Sequence, residues 1–341
     1  MANKRIFYAV YQAGFSICGA NSFTSAHGLQ SVGVNTQFNL EQVFEIGQIS
    51  IYENIENIPD IEITMEKVLD GYPPLYLLAT TGASSASLSG RSNIKTTVGL
   101  SIYSDVQDSA SGTPLTQCTA SGMYISALNY NIAVQGNATE SVTLVGNNKV
   151  WNNTFTATAF DNLDEPLAIA GSGGVNRRED IIFGQAAGAS ILPPDVYGVT
   201  SSGYVAYNTT TQEYGAHLQS IKVSTNLGRE QLFELGRRGP YHRYVSFPVE
   251  VKCDIEAIDI AGDNVSALEE STANLTEREI YLKFREGLQL DLGINNKLSS
   301  VTWGGANAGQ NGGNATATYS FSNFNDLDVL HPQDPTTALR P

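Results

Sequence analysis

The sequence predicts an all-β protein with short helices, built as two tandem domains related by internal duplication. Two stretches of 31 residues, at 29–59 and 218–248, align without a gap and share 12 identical positions. Apolar and polar residues alternate with period two in most segments that show any periodicity. Turn-forming clusters such as DGYPP, VGNN and NAGQNGGN separate these segments. Together these features favour strands and turns repeated in two similar halves.

The repeat also sets the expected domain organisation. GNAT recurs at 136–139 and 313–316, each time between two alternating runs, so both halves carry the same order of elements. At 341 residues the chain exceeds the size of one ordinary core. We therefore expect a first β domain at 1–160, a linker or arm at 161–200, and a second β domain at 201–341. The linker segment is rich in Gly, Pro and polar residues.

The alternating segments predict half-buried strands. Residues 124–134 form the longest run, and 61–65, 249–255 and 280–284 repeat the pattern. Dropping one residue from the first copy extends the repeat past its final proline. That alignment places Met65 on Cys253.

One helical signal lies inside each copy of the repeat. Asn39 can cap LEQVFEI, Gln42 completes a capping box and Gly47 can close the helix. REQLFEL, between Gly228 and Gly236, is the corresponding segment of the second copy. Because two turns of helix are unstable alone in water, we expect their apolar residues to pack on the neighbouring sheet. These residues are Val43, Phe44, Ile46, Leu232, Phe233 and Leu235.

Composition and charge exclude several classes of protein. The chain has 19 basic and 34 acidic residues, a net charge of −15, which disfavours general binding to nucleic-acid phosphates. Its cysteines, at 18, 118 and 253, have no metal-binding spacing and an odd count, so they predict packing residues rather than a disulfide framework. No window approaches 18 uninterrupted apolar residues, so no membrane partner is expected. The stretch at 4–18 is a poor signal peptide, which favours synthesis in the cytoplasm.

The sequence contains no motif typical of an active site. H-E-x-x-H, P-loop, EF-hand and G-x-S-x-G patterns are absent, and the histidines at 27, 217, 242 and 331 are scattered. GSGGVN at 171–176 follows no strand of a βαβ unit, so it favours a flexible link over a phosphate-binding loop. We therefore expect no enzymatic activity, no cofactor and no bound metal.

The two copies of the repeat differ in charge. The second contains Arg229, Arg237, Arg238 and Arg243, with Arg278 further on, whereas the aligned first copy has no basic residue. A solvated face is one explanation. Opposite charge on two homologous faces would also let neighbouring copies recognise each other around a ring. The candidate oligomer-interface residues are Glu45, Tyr52, Arg229, Glu234, Arg237, Arg238, Tyr241 and Arg243.

Three segments resemble the tail tube (major tail) proteins of tailed bacteriophages. They are LGREQLFELGRRGPYHRYVSFPVEV, IYENIENIPDIEITMEKVLDGYPPLYLLAT and GNATESVTLVGNNKVW. The resemblance touches both halves and implies two tandem tail-tube-like β-sandwich or β-barrel domains. It implies a structural virion protein made in the host bacterial cytoplasm, whose rings hold six such domains and stack into the tail tube, a passive conduit for DNA ejection. Homotrimeric rings with pseudo-sixfold symmetry follow from the duplication.

The same resemblance implies the partners. They are further copies of the chain, a tape-measure protein in the lumen, and tail sheath, baseplate and tail terminator proteins. Genomic DNA would pass through without specific binding.

Two other functions stay open from the sequence. A tube protein of a contractile injection or type VI secretion machine would assemble in the same way. A two-domain β-sandwich that binds a receptor or a sugar on a virion would need no lumen. Electron microscopy separates them, because the tube proteins form hollow rings or tubes and the binding protein forms discrete particles.

Overall fold

A computed structural model describes the chain at 11–17, 23–80, 85–103, 114–152, 163–164, 174–183, 191–202, 204–208, 210–211, 213–266, 276–304 and 314–331. Within these ranges the chain is almost entirely β-structure, so the prediction of an all-β fold with short helices is confirmed. Cys18 and three parts of the predicted linker, 161–162, 165–173 and 184–190, lie outside the described residues.

The strands of the first half are β1 (Tyr11–Ile17), β2 (Phe23–Ser25), β3 (Leu29–Gln37), β4 (Leu40–Phe44), β5 (Ile51–Glu56), β6 (Asp60–Val68), β7 (Ser85–Ser87), β8 (Thr96–Ile102), β9 (Thr116–Ala133), β10 (Thr139–Gly146), β11 (Asn148–Asn152) and β12 (Leu163–Asp164). Those that follow are β13 (Ile181–Ile182), β14 (Tyr207–Asn208), β15 (Glu213–Tyr214), β16 (Leu218–Asn226), β17 (Arg229–Leu232), β18 (His242–Val245), β19 (Glu250–Ile258), β20 (Tyr281–Phe284), β21 (Gln289–Asp291), β22 (Lys297–Gly304), β23 (Thr316–Phe324) and β24 (Asp328–Leu330). The helices are α1 (Leu75–Ala79) and α2 (Leu88–Arg91), and a 3-10 turn covers Arg178–Asp180.

Eight strands form an antiparallel main sheet in the order β3-β6-β10-β9-β16-β19-β23-β22. The order repeats after four strands. In the first four-strand unit (β3, β6, β10, β9) and in the second (β16, β19, β23, β22), the strands follow the same path through the sheet. The last strand of the first unit, β9, pairs with the first strand of the second, β16.

Two β-bulges recur at equivalent places in the two units. One lies between Leu29 and Ser31 and again between Leu218 and Ser220, which are aligned positions of the repeat. The other lies between Ile125 and Ala127 of β9 in the first unit. In the second unit it lies between Leu298 and Ser300 of β22. Because a bulge bends the strand that carries it, the shared bulges bend the strands of the two units at equivalent places.

The pairing corrects the sequence alignment beyond the repeat's proline. Met65 lies opposite Val142, and Ile255 lies opposite Tyr319. Val142 and Tyr319 stand at the same distance after the two GNAT turns. The counterpart of Met65 is therefore Ile255 and not Cys253, because the second copy carries one more residue here rather than one residue fewer.

The helices predicted around LEQVFEI and REQLFEL are wrong. These segments form two antiparallel hairpins instead, β4–β5 and β17–β18, hereafter the first and second hairpins. Gly47 and Gly236, expected to end helices, have φ of 94° and 85° and lie in the hairpin turns. The expected packing of the apolar residues on the sheet is also wrong for four of them. Phe44, Ile46, Phe233 and Leu235 are exposed.

One face of the main sheet is apolar and covered by a second layer. Strands β13, β20, β21, β24 and β7 form a five-stranded sheet to which both halves of the chain contribute. Its Leu282, Phe284 and Leu290 belong to the same buried cluster as Met65 and Tyr319 of the main sheet. This arrangement is a β-sandwich with one continuous core.

Glu140 fixes α1 to the apolar face. Its carboxylate is fully buried and accepts hydrogen bonds from the N–H groups of Leu75 and Tyr76 and from the hydroxyl of Tyr130. The carboxylate therefore satisfies N–H groups at the start of the helix that have no partner within it. Burial raises the pKa of Glu140, while these hydrogen bonds and the charge of Lys67 oppose that rise.

The remaining strands extend the edges around β9. Strands β1, β2, β8 and β12 continue from the N-terminal part of β9, and β11 pairs with the other side of that part. Strands β14 and β15 form a small separate hairpin.

Candidate assembly interface

The main sheet has two open edges. Within the described residues, β3 pairs only with β6, and β22 pairs only with β23. Most residues of both strands are exposed. An open strand edge presents unpaired N–H and C=O groups to which another strand can bond, and natural proteins usually shield such edges.

The junction between the two units pairs the counterparts of the two open edges. The first strand of the second unit, β16, pairs with β9 from Ser220 opposite Ala133 to Asn226 opposite Ala127. By the repeat, β3 is the counterpart of β16, and β22 is the counterpart of β9. The chain therefore exposes the two surfaces that it pairs internally, one at each end of the sheet.

Apolar residues buried at the internal junction have exposed counterparts on β3. Val223 and Leu227 are each 1% exposed at the junction. Their counterparts, Val34 and Phe38, are 37% and 70% exposed. A second strand laid along β3 as β9 lies along β16 would cover both side chains.

The opposite edge shows the same contrast. Tyr130 of β9 is 1% exposed, and its counterpart on β22 is Trp303, which is 52% exposed. Tyr130 lies opposite Glu140 and Trp303 lies opposite Ala317, and these two partners stand at the same distance after the two GNAT turns. An exposed apolar side chain beside unpaired backbone groups at a strand edge makes that edge a candidate for a protein interface.

The hydrogen bonds around the junction show which N–H groups of β3 point outward. Leu227 N donates to Ser126 O, and Val134 N donates to Gln219 O, each at 2.8–2.9 Å. Alternate residues of β16, including Val223, therefore point their N–H groups toward β9. By equivalence, Val34 points its N–H away from the sheet.

Arg243 links the second hairpin to the first unit. Its guanidinium is buried and lies 2.7 Å from Asp60 Oδ1, with hydrogen bonds to Asn147 Oδ1 at 3.1 and 3.3 Å. Partial burial acts to raise the pKa of Asp60, but hydrogen bonds from Asn39 and Arg243 and the charge of Arg243 lower it. Asp60 is therefore ionised at neutral pH, which keeps the pair charged.

Arg229 makes a second link between the same elements. Its guanidinium donates to the carbonyls of Ile125 (2.7 Å), Arg243 (3.1 Å) and Ser92, and to Asn93 Oδ1 (3.2 Å). It also lies 5.2 Å from the ring centre of Tyr124. Burial lowers the pKa of Arg229 to about 10, so it stays charged at neutral pH. We call Arg229, Arg243 and the groups they contact the arginine clasp.

The arginine clasp has no counterpart at the open edges. The residue aligned with Arg229 is Leu40, and the residue aligned with Arg243 is Asn54. Phe324 occupies the place of Asn147 after the second GNAT turn. Leu40 and Phe324 are 59% and 57% exposed. The open edges therefore offer apolar groups where the internal junction uses ionic hydrogen bonds.

The structure separates the candidate interface residues into three places. Arg229 and Arg243 lie at the internal junction, and Arg237 pairs with Glu234 at 3.4 Å within the turn of the second hairpin. Arg238 is exposed on that turn and Tyr241 is 38% exposed. Glu45 and Tyr52 are exposed on the first hairpin. Sequence reasoning missed Val34, Phe38, Leu40 and Trp303, because the sequence shows neither the strand order nor which apolar residues are exposed.

The second face of the main sheet, the open face, is polar. Small hydroxyl residues such as Thr64, Thr143 and Ser320 are half-buried on it, and charged residues are exposed or half-buried. In the described strands, the charged residues of this face are six carboxylates (Asp60, Glu62, Glu66, Glu250, Asp254, Glu256) and three lysines (Lys222, Lys252, Lys297), and Asp60 is paired with Arg243. The face is therefore acidic.

The described residues contain no group of three or more His, Cys, Asp or Glu side chains that could hold a metal ion. Cys118 and Cys253 are free and buried, and burial raises the pKa of both thiols. No helix in the described ranges is long and apolar enough to cross a bilayer.

Comparisons with known proteins give partial likenesses. The sequence matches no protein-family model and no curated protein. A chain of the "anti-feeding prophage (AFP) baseplate, 6-fold symmetrised" is 12% identical with a TM-score of 0.35, over 45% of this chain and 98% of that one. The "anti-feeding prophage cap (AFP tube terminating cap)" gives 11% and 0.34, over 45% and 95%. An "Extracellular Contractile Injection System, PVC sheath-tube complex in extended state" gives 10% and 0.34, over 45% and 95%. TM-scores this low do not establish a shared fold.

Proposed function

We propose that this chain is a structural protein of a virus tail or a related injection machine, and that it forms the rings of a tube. Strand β22 of one copy pairs with β3 of the next, in the register of the internal β9–β16 pair. The observation that supports this proposal is the repeated junction, because the chain buries one copy of the contact and exposes both halves of another. Three copies then close a ring of six four-strand units, and stacked rings form a passive conduit for DNA.

The register of the contact between copies follows from the repeat. Val223 pairs with Tyr130, so Val34 would pair with Trp303 of the next copy. Ser224 pairs with Asn129, so Asn35 would pair with Thr302 of the next copy. Pairing in this register satisfies the outward backbone groups of alternate residues such as Val34, and it covers apolar side chains left exposed at both edges, including Val34 and Trp303.

The proposed ring leaves a wide channel. With eight strands from each of three copies spaced about 4.8 Å apart, the circumference is about 115 Å and the diameter about 37 Å before strand tilt widens it. The apolar face is covered by the second layer, so the open face lines the channel. Its excess of carboxylates repels phosphate and keeps DNA from adhering during passage.

Other proteins would bind the lumen, the outside and the ends of the tube. Ring stacking is head to tail and does not close, so a tape-measure protein in the lumen would set the tube's length. Sheath, baseplate and terminator proteins would bind the outside and the ends. The division into domains at 1–160 and 201–341 belongs to this proposal, with the four-strand units as the repeated parts.

Electron microscopy and the mass of the smallest ring test the proposed function. We expect hollow rings or tubes, and a smallest ring of three chains, because each chain supplies two units. A smallest ring of six chains would mean that only one unit of each chain lines the channel. Discrete particles without a lumen would contradict the proposal and favour a binding protein.

A further inference from the structure

The turn of the second hairpin stays exposed even where a neighbouring unit is already present. This hairpin lies at the internal junction, with Arg243 and Val245 buried there. Its turn residues Phe233 and Leu235 are nevertheless 58% and 105% exposed. Lateral pairing of units therefore does not cover the tip, and a different contact must do so if the tip is buried in an assembly.

A groove lies at the other end of the same strand pair. It has a volume of about 820 Å3 and is lined in part by Ile182, Phe183 and Leu218. Tyr207 and Tyr214 form an aromatic wall beside Phe183, with ring centres 4.8 and 5.5 Å apart. Leu218 begins β16 and the second hairpin follows the end of β16, so the groove and the base of the hairpin are separated by the length of that strand, about 27 Å.

The groove matches the tip in chemistry. The tip places Glu234 between Phe233 and Leu235, and the apolar groove has Arg178 and Arg285 at its rim. Each of the three groups already has a partner in its own chain: Arg178 lies 3.9 Å from Glu179, Arg285 lies 3.7 Å from Asp180, and Glu234 lies 3.4 Å from Arg237. Arg178, Arg285 and Glu234 are each more than half exposed. Exposed ion pairs contribute little to stability, so either arginine can leave its present partner and bind an incoming carboxylate instead. Glu179 and Glu213 also line the groove, so apolar contact carries most of the fit.

We propose that the groove receives the Phe233-Glu234-Leu235 tip of a second copy of this chain in the adjacent ring. Tip and groove lie on opposite rims of the sheet, so the contact is head to tail and propagates along an axis instead of closing. Three grooves and three such tips per ring would hold successive rings together. This inference rests on the proposed ring, and it gives residues at 181–183 and 207–214 a role in stacking.

Measuring ring formation and tube formation separately tests the stacking contact apart from the lateral contact within a ring. Leu235→Asp at the tip and Tyr207→Asp in the groove change exposed positions, so the monomer should keep its thermal stability. Leu235→Met and Tyr207→Phe are the matched controls. We expect both Asp variants to form rings of normal mass while the concentration needed for tubes rises about tenfold or more, and both controls to form tubes.

Three results have separate meanings. Tubes from both Asp variants at the normal concentration would overturn the tip–groove contact and leave the proposed ring intact. Loss of the rings themselves in either Asp variant would also overturn it, because the residue would then belong to the lateral contact. Failure of the unmodified protein to form any ring would instead contradict the proposed function.

Discussion

Val34→Pro is expected to leave the protein folded and monomeric, with ring formation lost. The N–H of Val34 points away from the sheet, as the N–H of its counterpart Val223 points toward β9. Proline is tolerated on an edge strand whose N–H faces solvent, so the single chain should lose little stability. In a ring the same proline removes a hydrogen-bond donor to β22 of the next copy, and its side chain no longer matches Trp303 there. We expect the dissociation constant of the ring to rise by about 100-fold or more, measured by analytical ultracentrifugation.

Val34→Thr is the matched control for this edge. Threonine keeps the N–H and the β-branched shape, so rings should persist with at most a modest loss of affinity. Rings of normal stability from Val34→Pro would show that β3 is not a lateral contact. Unfolding of the monomer would be visible by circular dichroism, and Val34→Asp would then test the same edge without a backbone change.

Arg229→Leu should destabilise the single chain, although leucine is the residue that the first copy of the repeat carries at this place. Arg229 donates to four groups, and leucine would leave the carbonyls of Ile125 and Ser92 without that donor. We expect the free energy of unfolding to fall by about 2–4 kcal/mol, measured by urea denaturation of the monomer.

Leu40→Ala provides the contrast at the equivalent position. Leu40 is mostly exposed in the single chain, so its truncation should change monomer stability by less than about 0.5 kcal/mol while weakening the ring. Equal effects of the two substitutions on the monomer would contradict the distinction between an ionic internal junction and an apolar external one.

Part of the fold is visible in the sequence because it depends on short-range patterns. Period-two alternation predicts the strands, and the repeated segment predicts two similar units. The helix predictions were wrong because Val43, Phe44 and Ile46 have the spacing of a buried helical face. The sequence does not show that the hairpin leaves Phe44 and Ile46 exposed to water. Caps and glycines at 39 and 47 suit a hairpin turn as well as a helix end.

The site depends on contacts that no local pattern contains. The run of arginines in the second copy is visible, but the partner of Arg243 is Asp60, 183 residues away. The charge contrast suggested recognition between copies of the chain, whereas Arg229 and Arg243 contact groups of their own chain. The open edges could be identified only once the strand order showed β3 and β22 at the two ends of the main sheet.

A disulfide across the proposed contact tests the central claim most directly. Asn35→Cys and Thr302→Cys in one chain, with Cys18→Ser, place two thiols at counterparts of the Ser224–Asn129 pair. That pair lies at a position without mutual hydrogen bonds, where Cα atoms are about 4.5 Å apart and a disulfide fits. Cys118 and Cys253 are buried and should not compete. Asn35→Cys with Lys297→Cys, several residues out of register, is the control.

After mild oxidation of assembled rings, denaturing electrophoresis should show covalently closed trimers from the Asn35–Thr302 pair and little product from the control. Rings that yield no cross-linked chains, or that cross-link equally in both variants, would contradict the pairing of β22 with β3.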